Sequence, residues 1–402
     1  MKGINRFKQH IANYIFFNGH IYFFWKGRVA LYAILKALNI KEGDEVILPA
    51  FTCVVVPNPI IYLGAKPVYV DIDRKTFNID ISKIEQKITP KTKVIIAQNT
   101  FGLSSDLDPI IEIAKKYNLY VVEDCAHGFG GTYKGKKNGT IADAAFFSTQ
   151  WNKPFSTGLG GIAITKHEWL GKRLLEIEKK AITPSFKEVF LLRTLYIARK
   201  YLVNDTTYWN ALKIYRFLSE KNLILGSSQG YELEKPIEPH DFLKGFSEFQ
   251  AKLALKFFKK NKEGIYLIDE LINHRKKIAK LYNQILRDLD IEPPYKPYYA
   301  NHTYLKYPLL VKDRKKIFTI AEKFKVPLGD WFLSPIHPIL TNFENWYYNY
   351  GENPIAEFAS RHIINLPTDI DENKIDKVSD FLRFIKEKGE IIGCQVPSKL
   401  EE

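Results

Sequence analysis

The stretch "KVIIAQNTFGLSSDLDPIIEIAKKYNLYVVEDCAH" (residues 93–127) joins two short Val/Ile-rich runs through one amphipathic segment. The two runs, 93–99 and 119–124, lack the polar alternation of a half-exposed strand, so we expect both faces of each strand to be buried. The intervening segment, 107–117, has the length and periodicity of a crossover helix. This stretch therefore predicts an α/β fold with a mostly parallel sheet.

The same alternation continues on both sides of this stretch. Between residues 28 and 165 it predicts further helices at 28–38, 57–64 and 80–88, and further strands at 46–50, 67–73, 144–149 and 160–165. Ligands of such sheets bind beyond the carboxyl ends of the strands. Asp124, at the end of one predicted strand, therefore lies where a ligand is expected.

The second half of the chain has a different pattern. Residues 170–225 have the pattern of amphipathic helices rich in aromatic residues and arginine, and 247–287 that of long helices, before a shorter alternation of strands and helices begins. We expect a large α/β domain over residues 1–250, with a helical insertion at about 170–240. A smaller C-terminal α/β domain is expected over residues 251–402.

The composition is that of a globular protein, since 46% of the 402 residues are hydrophobic and 26% are charged. An excess of 59 Lys and Arg over 45 Asp and Glu gives a net charge of +14, which favours anionic partners but also suits a solvated surface. No signal peptide is evident, and prolines interrupt the apolar run 45–63. Three widely spaced cysteines cannot build a disulfide framework or a thiolate metal site. We expect a cytoplasmic protein without a metal site.

Asp124 and Lys153 are the first candidates for chemistry. A carboxylate at the mouth of a buried strand costs desolvation free energy unless a cation pairs with it. Lys153 follows a predicted strand and precedes a Gly-rich turn, among Phe147, Trp151 and Phe155. Partial desolvation there would suit a Schiff-base lysine, but an ordinary exposed loop lysine fits this stretch as well.

A cofactor is the other candidate partner of Asp124. Pyridoxal phosphate needs a lysine, an acid for its pyridine nitrogen, and a phosphate cradle of amides and hydroxyls. Gly27 and Arg28 begin the first predicted helix, whose terminal N–H groups favour an anion. Ser148 leaves a strand five residues before Lys153. The chain therefore offers all three requirements.

Eight motifs follow one another along the chain: "GRVAL" (27–31), "GDEVILPAFT" (43–52), "GAKPVYVDID" (64–73), "EDCAH" (123–127), Ser148 to Lys153 with "GLGG" (158–161), "SEFQA" (247–251), "SPIHP" (334–338) and "PIAE…NLP" (354–367). In this order they resemble the DegT/StrS family of pyridoxal-phosphate-dependent sugar aminotransferases. The resemblance spans about residues 27–385 and implies the aspartate aminotransferase-like fold (fold type I), with a large, mostly parallel seven-stranded sheet.

The resemblance implies a role for each matching residue. Lys153 would hold pyridoxal phosphate covalently and move the proton during transfer, and Asp124 would pair with the pyridine nitrogen. His127 would contact the phenolic oxygen of the cofactor, unless it is a satisfied core histidine. The phosphate would be bound by Ser148 and the backbone amides of Gly27 and Arg28.

Three positions depart from the family pattern. Arg28 replaces a threonine and could clamp the phosphate or reach a substrate carboxylate. Cys53 replaces the aromatic residue that stacks on the cofactor ring, a role that Phe51 could take over. Lys244 lies between the two residues that replace a partner-contacting Asn and Arg. We assign Cys53 to the cofactor and assign three residues to the substrate: Phe51, Lys244 and His337.

The resemblance implies a homodimeric aminotransferase that moves an amino group from L-glutamate, or glutamine, to a keto group of a nucleotide-linked sugar, with no nucleic-acid partner. Lys153 stands where related dehydratases have histidine, which favours amino transfer. The helices of residues 185–220 would pack on the partner subunit or lie on an acidic membrane surface. Two alternatives stay open: a pyridoxal-phosphate aminotransferase or dehydratase for a non-nucleotide or lipid-linked substrate, and a non-catalytic binding or sensor protein.

Overall fold

The computed structural model describes residues 2–203, 207–220 and 230–400. Its helices are α1 (Lys2–Tyr14), α2 (Gly27–Ala37), α3 (Pro57–Tyr62), α4 (Leu107–Lys116), α5 (Glu168–Lys179), α6 (Phe186–Leu202), α7 (Tyr208–Glu220), α8 (Gly230–Glu234), α9 (Glu248–Phe257), α10 (Leu267–Asp288), α11 (Arg314–Phe324), α12 (Pro354–His362) and α13 (Ile375–Glu387). Its strands are β1 (His20–Phe24), β2 (Glu45–Pro49), β3 (Thr52–Cys53), β4 (Lys66–Val70), β5 (Thr92–Gln98), β6 (Tyr120–Asp124), β7 (Thr132–Tyr133), β8 (Lys136–Lys137), β9 (Ala144–Ser148), β10 (Gly161–Thr165), β11 (Ala300–Asn301), β12 (Tyr307–Val311), β13 (Ile336–His337), β14 (Ile363–Leu366) and β15 (Ile391–Gly393).

Seven strands form the main sheet in the order β1-β10-β9-β6-β5-β2-β4. The five strands from β9 to β4 in this order run parallel, and β10 and β1 add antiparallel pairings at one edge. Strands β2 and β9 are buried at every residue, as continuous apolar runs predict for a sheet covered on both faces. The predicted α/β fold with a mostly parallel seven-stranded sheet is confirmed.

The edge strand β1 was not predicted from the sequence. Its residues lie in a short run where polar and aromatic side chains mix, and only pairing with β10 defines it as a strand. The predicted helix at 80–88 is wrong, because two short 3-10 turns take its place, Ile81–Lys83 and Glu85–Lys87. Asp80 accepts hydrogen bonds from both the amide and the hydroxyl of Ser82, which stabilises a tight turn rather than an α-helix.

A second apolar core surrounds the small antiparallel sheet β14-β12-β15. Helix α10 contributes to two cores, because Ile268 and Ile272 pack beneath the main sheet while Tyr282 and Leu286 pack against the small one. The expected division of the chain at residue 250 stays a prediction. Among the residues given above, no helix is long and apolar enough to span a membrane.

Candidate active site

The carboxyl ends of the strands bring the predicted phosphate-binding residues together. Gly161 of β10 lies opposite both Phe24 of β1 and Ser148 of β9, so the ends of β1 and β9 reach the same edge of the sheet. Only Trp25 and Lys26 separate the end of β1 from the start of α2 at Gly27. A Cβ atom at Gly27 would lie 2.9 Å from the Cβ atom of Ser148. The start of α2 is therefore in direct contact with the end of β9.

This contact forms an anion cradle. The side chain of Lys26 does not cap the N-terminus of α2. The first amides of the helix and the positive end of its dipole are therefore not covered by a cap at this edge of the sheet. The Ser148 hydroxyl lies beside them, and no side chain at Gly27 fills the space between. Amides, a hydroxyl and the positive end of a helix are the groups that bind a phosphate. The residues present therefore fit the phosphate of pyridoxal phosphate.

Arg28 carries its charge away from the helix start. Its guanidinium lies 2.5 Å from the carboxylate of Glu232, and both side chains are buried. Burial lowers the pKa of Arg28, but Glu232, Tyr62 and Cys53 together raise it, and the net shift is upward. The side chain is thus engaged in an internal ion pair, which the sequence did not reveal. Its predicted phosphate contact rests on the backbone amide.

Asp124 ends β6 and is 4% exposed. Burial raises the pKa of its carboxyl to about 6, against the hydrogen bond from the Ala126 amide, 2.9 Å away, and the charge of Lys153. Burial lowers the pKa of Lys153 to about 8, against the charges of Cys53 and Asp124. The two predicted catalytic groups therefore interact across the edge of the sheet, and each titrates close to neutral pH.

His127 stacks on the indole of Trp331, the ring that the Lys153 amine also contacts. The two rings are stacked 4.9 Å apart and 5° from parallel. The Nδ1 atom accepts a hydrogen bond of 3.2 Å from the Phe101 amide, while burial and the charges of Lys153 and Lys306 lower the pKa of His127 well below its usual value. The neutral ring therefore carries its proton on Nε2, where it can be donated.

The ammonium groups of Lys153 and Lys306 both lie over the ring of Trp331. Their Nζ atoms lie 4.5 Å and 5.1 Å from the ring centroid. The sequence indicated no role for Trp331 or Lys306. Nothing in the local sequence could have paired them, because the contact joins segments that only the tertiary fold brings together.

Cys53 and His337 are brought together by a two-residue parallel bridge between β3 and β13. Burial raises the pKa of the Cys53 thiol, and the charges of Lys153, Arg28 and Asp124 act on it. Cys53 therefore lies beside the predicted catalytic pair. The Nδ1 atom of His337 accepts a hydrogen bond of 3.2 Å from the Leu333 amide, which fixes the ring in this loop.

Phe51 and Lys244 do not line this site. Phe51 is fully buried in an aromatic cluster, with Phe332 packed edge-on at 5.0 Å. Lys244 is buried in ion pairs with Glu188 of α6 and, at 2.5 Å, with Asp241. Both side chains are occupied by internal contacts, and their contact with substrate stays a prediction.

Two arginines hold the loop that carries Lys153. From α6, Arg199 donates a hydrogen bond of 2.6 Å to the side chain of Asn152. From α10, the buried Arg275 donates one of 3.2 Å to the carbonyl of Pro154. The residues on both sides of the lysine are thus anchored by distant helices. Among the residues the structure describes, no cluster of His, Cys, Asp or Glu could hold a metal ion.

Known proteins are similar to this chain in sequence and in fold. The model of the DegT/DnrJ/EryC1/StrS aminotransferase family matches residues 2–195 and 248–383. The uncharacterized protein MJ1066 of Methanocaldococcus jannaschii is 33% identical over 371 residues, which cover 89% of this chain and 83% of that protein. The GDP-perosamine synthase of Escherichia coli O157:H7 is 46% identical over 156 residues, 39% of this chain and 43% of that protein.

Solved structures with the same fold include the putative sugar aminotransferase Spr1654 of Streptococcus pneumoniae in its PMP form. That structure superposes with a TM-score of 0.73 at 24% identity, over 96% of this chain and 92% of that chain. At this identity the likeness supports the fold alone.

Proposed function

The chain belongs to the DegT/DnrJ/EryC1/StrS aminotransferase family, and we propose that it transfers the amino group of L-glutamate to a keto carbon of a nucleotide-linked sugar. The resemblance seen in the sequence is thereby confirmed, as are the enzyme class and its cofactor, pyridoxal 5'-phosphate. The observation that carries the proposal is that the buried Lys153 amine and the buried Asp124 carboxylate are close enough to shift each other's pKa, at the sheet edge that also holds the cradle of Gly27 and Ser148.

Each residue of the site has a task toward this cofactor. Bound pyridoxal phosphate supplies an electron sink for the negative charge that develops at the α-carbon of the amino acid. We assign phosphate binding to the Ser148 hydroxyl and the first amides of α2. The Asp124 carboxylate would hold a proton on the pyridine nitrogen, and the paired charge would keep Asp124 ionised despite its burial.

Lys153 would attach the cofactor and then act as the proton carrier between the α-carbon and the C4′ atom. With a pKa of about 8, its amine is partly neutral near neutral pH, as both tasks require. His127, neutral and protonated on Nε2, would donate a hydrogen bond to the phenolic oxygen. The electrostatic effect of Lys153 on both Asp124 and His127 supports these assignments.

The substrate class rests on the relatives. Among them are GDP-perosamine synthases and a UDP-2-acetamido-2-deoxy-3-oxo-D-glucuronate aminotransferase, whose names specify nucleotide-linked sugars. The net charge of +14 suits a substrate with a diphosphate. The intact pair of Lys153 and Asp124 argues against a non-catalytic binding protein. A lysine at position 153 argues against dehydration, because the related dehydratases have histidine there.

We also propose a homodimer located in the cytoplasm. Phe186, Phe190, Ile197 and Tyr201 are exposed and share one face of α6, a pattern that suits packing against a second subunit. The three cysteines are unpaired, in keeping with a reducing compartment. Contact of the same helices with a membrane stays a prediction.

An absorbance titration tests the activity. The purified protein should carry the visible-edge band of a covalently bound cofactor, and L-glutamate should shift that band. Lys153→Ala should lose the covalent band, while the matched surface variant Lys312→Ala should keep both properties. A wild-type band that ignores glutamate, or a covalent band that survives in Lys153→Ala, would contradict the proposed function.

A further inference from the structure

Lys306 carries a positive charge into the site, close to the reacting amine. Its Nζ atom and that of Lys153 lie over the same indole ring of Trp331, at 5.1 Å and 4.5 Å from its centroid. The two nitrogens are therefore at most 9.6 Å apart, the sum of these distances. By length alone, an extended dicarboxylic amino acid with a contact at each end can span a separation of this size.

The backbone fixes this position. The Lys306 amide donates a hydrogen bond of 3.2 Å to the Phe101 carbonyl, and the Thr303 amide donates one of 3.1 Å to the Gly102 carbonyl. Gly102 has a φ of +98°, and a Cβ atom there would lie 2.3 Å from the Thr303 hydroxyl oxygen. The segment before β12 thus packs closely against the turn that follows β5, and this packing fixes the backbone of Lys306.

The charge of Lys306 is not balanced by an ion pair. Within the described part of the chain, no carboxylate lies within 4 Å of its Nζ atom, although Asp369 and Asp330 act on it from farther away. The positive charges of Arg275 and Arg199 also act on Lys306, burial lowers the pKa of Lys306, and the three cations together lower the pKa of the buried Asp369. Half-buried cations of one sign repel each other and favour the arrival of an anion.

We propose that Lys306 binds the distal carboxylate of the amino donor and thereby selects a dicarboxylic amino acid. The inference rests on the proposed aminotransferase function and names the residue that recognises its donor. An ammonium group that pairs with a carboxylate in a partly buried site forms a charge-assisted hydrogen bond, which is stronger than a neutral one. The ammonium group of Lys306 also lies over the ring of Trp331, and this cation–π contact helps to hold it in place.

Binding of glutarate, an unreactive dicarboxylate, tests the inference by calorimetry on the cofactor-loaded protein. Lys306→Gln should weaken glutarate binding about 10- to 100-fold, because one charge-assisted contact is lost. Lys306→Arg should stay within about threefold of the wild type, since the charge remains. Lys312→Gln, at an exposed position just after β12, should bind like the wild type.

A second readout is donor selectivity. Lys306→Gln should lower kcat/KM for L-glutamate at least about tenfold more than kcat/KM for L-alanine, which has no distal carboxylate. Unaltered glutarate binding in Lys306→Gln would overturn the inference and would assign Lys306 to a carboxylate of the acceptor sugar or to no ligand. In that case a glutamate-dependent band shift in the wild type would still support the proposed function, whereas its absence would contradict that function separately.

Discussion

Arg199 donates a hydrogen bond to Asn152, the residue immediately before Lys153. The same guanidinium lies 5.4 Å from the ring centroid of Trp151, and Leu192 of α6 is buried against that tryptophan. Helix α6 thus covers the loop that carries the reactive lysine. The helical insertion therefore helps to position the loop of Lys153, although the sequence suggested only contact with a partner subunit or a membrane.

Arg199→Ala should loosen the lysine loop without unfolding the protein. Arg199 is exposed, so the lost contact is worth about 0.5–1.5 kcal/mol and the melting temperature should change little. The dissociation constant for the cofactor should rise about 2- to 10-fold, because Lys153 is less well positioned. Fluorescence titration of the cofactor-free protein measures this constant. Arg193→Ala, exposed on the same helix, is the control, and an equal effect there would contradict the prediction.

Gly27→Ala should fill the space between Gly27 and Ser148 that is assigned to the phosphate. The new methyl group would lie 2.9 Å from the Cβ atom of Ser148, and the resulting overpacking costs about 1–3 kcal/mol. Affinity for the cofactor should fall at least about tenfold. Equilibrium dialysis with pyridoxal phosphate measures the change. Gly245→Ala is the matched control, because its nearest atoms would lie 3.8 Å away, and it should leave affinity unaltered.

We expect the buried side chains of Arg28 and Glu232 to stabilise the fold only as an ion pair. Glu232→Ala leaves the arginine charge buried and should lower the free energy of unfolding by about 3–5 kcal/mol. The double variant with Arg28→Met should recover much of that loss, since no buried charge remains. Urea unfolding of the wild type, both single variants and the double variant gives the coupling energy. Additive losses would show that the two side chains act independently.

The sequence predicted the sheet better than it predicted the surroundings of the site. Asp124 and Ser148 end apolar strands, so local pattern alone places them on the ligand edge. Trp331 and Lys306 reach the site from the second half of the chain, where no local spacing reports their contact with Lys153. A motif position also does not show which neighbours cover the ring of Phe51.

The sequence also did not reveal which carboxylates pair with the buried cations. Arg28 and Lys244 were expected to meet ligands because they are cations at motif positions. The fold instead gives each an internal carboxylate, Glu232 and Glu188, from segments more than fifty residues away along the chain. Buried cations take the nearest available anion, and tertiary structure decides which one that is.

Lys153 should make the stability of the cofactor-free protein depend on pH. Its pKa falls from 10.5 in the unfolded chain to about 8 in the folded protein, chiefly by burial. Below about pH 8 both states are protonated, and the folded state bears the cost of the buried charge. Between about pH 8 and 10.5 only the unfolded chain binds the proton, so the free energy of unfolding should rise with pH and then level off.

Lys153→Met should reduce this rise, and the remainder should come from Lys26 and Lys306, whose pKa values burial also lowers. Urea unfolding of the wild type and of Lys153→Met from about pH 7 to about pH 11 measures it, and the difference between the two curves isolates the contribution of the buried amine. In the control variant Lys312→Met an exposed amine is lost, and the wild-type pH dependence should remain. Parallel curves for Lys153→Met and the wild type would mean that the Lys153 amine keeps an ordinary pKa, and the nucleophile assigned to this site would then lack its activation.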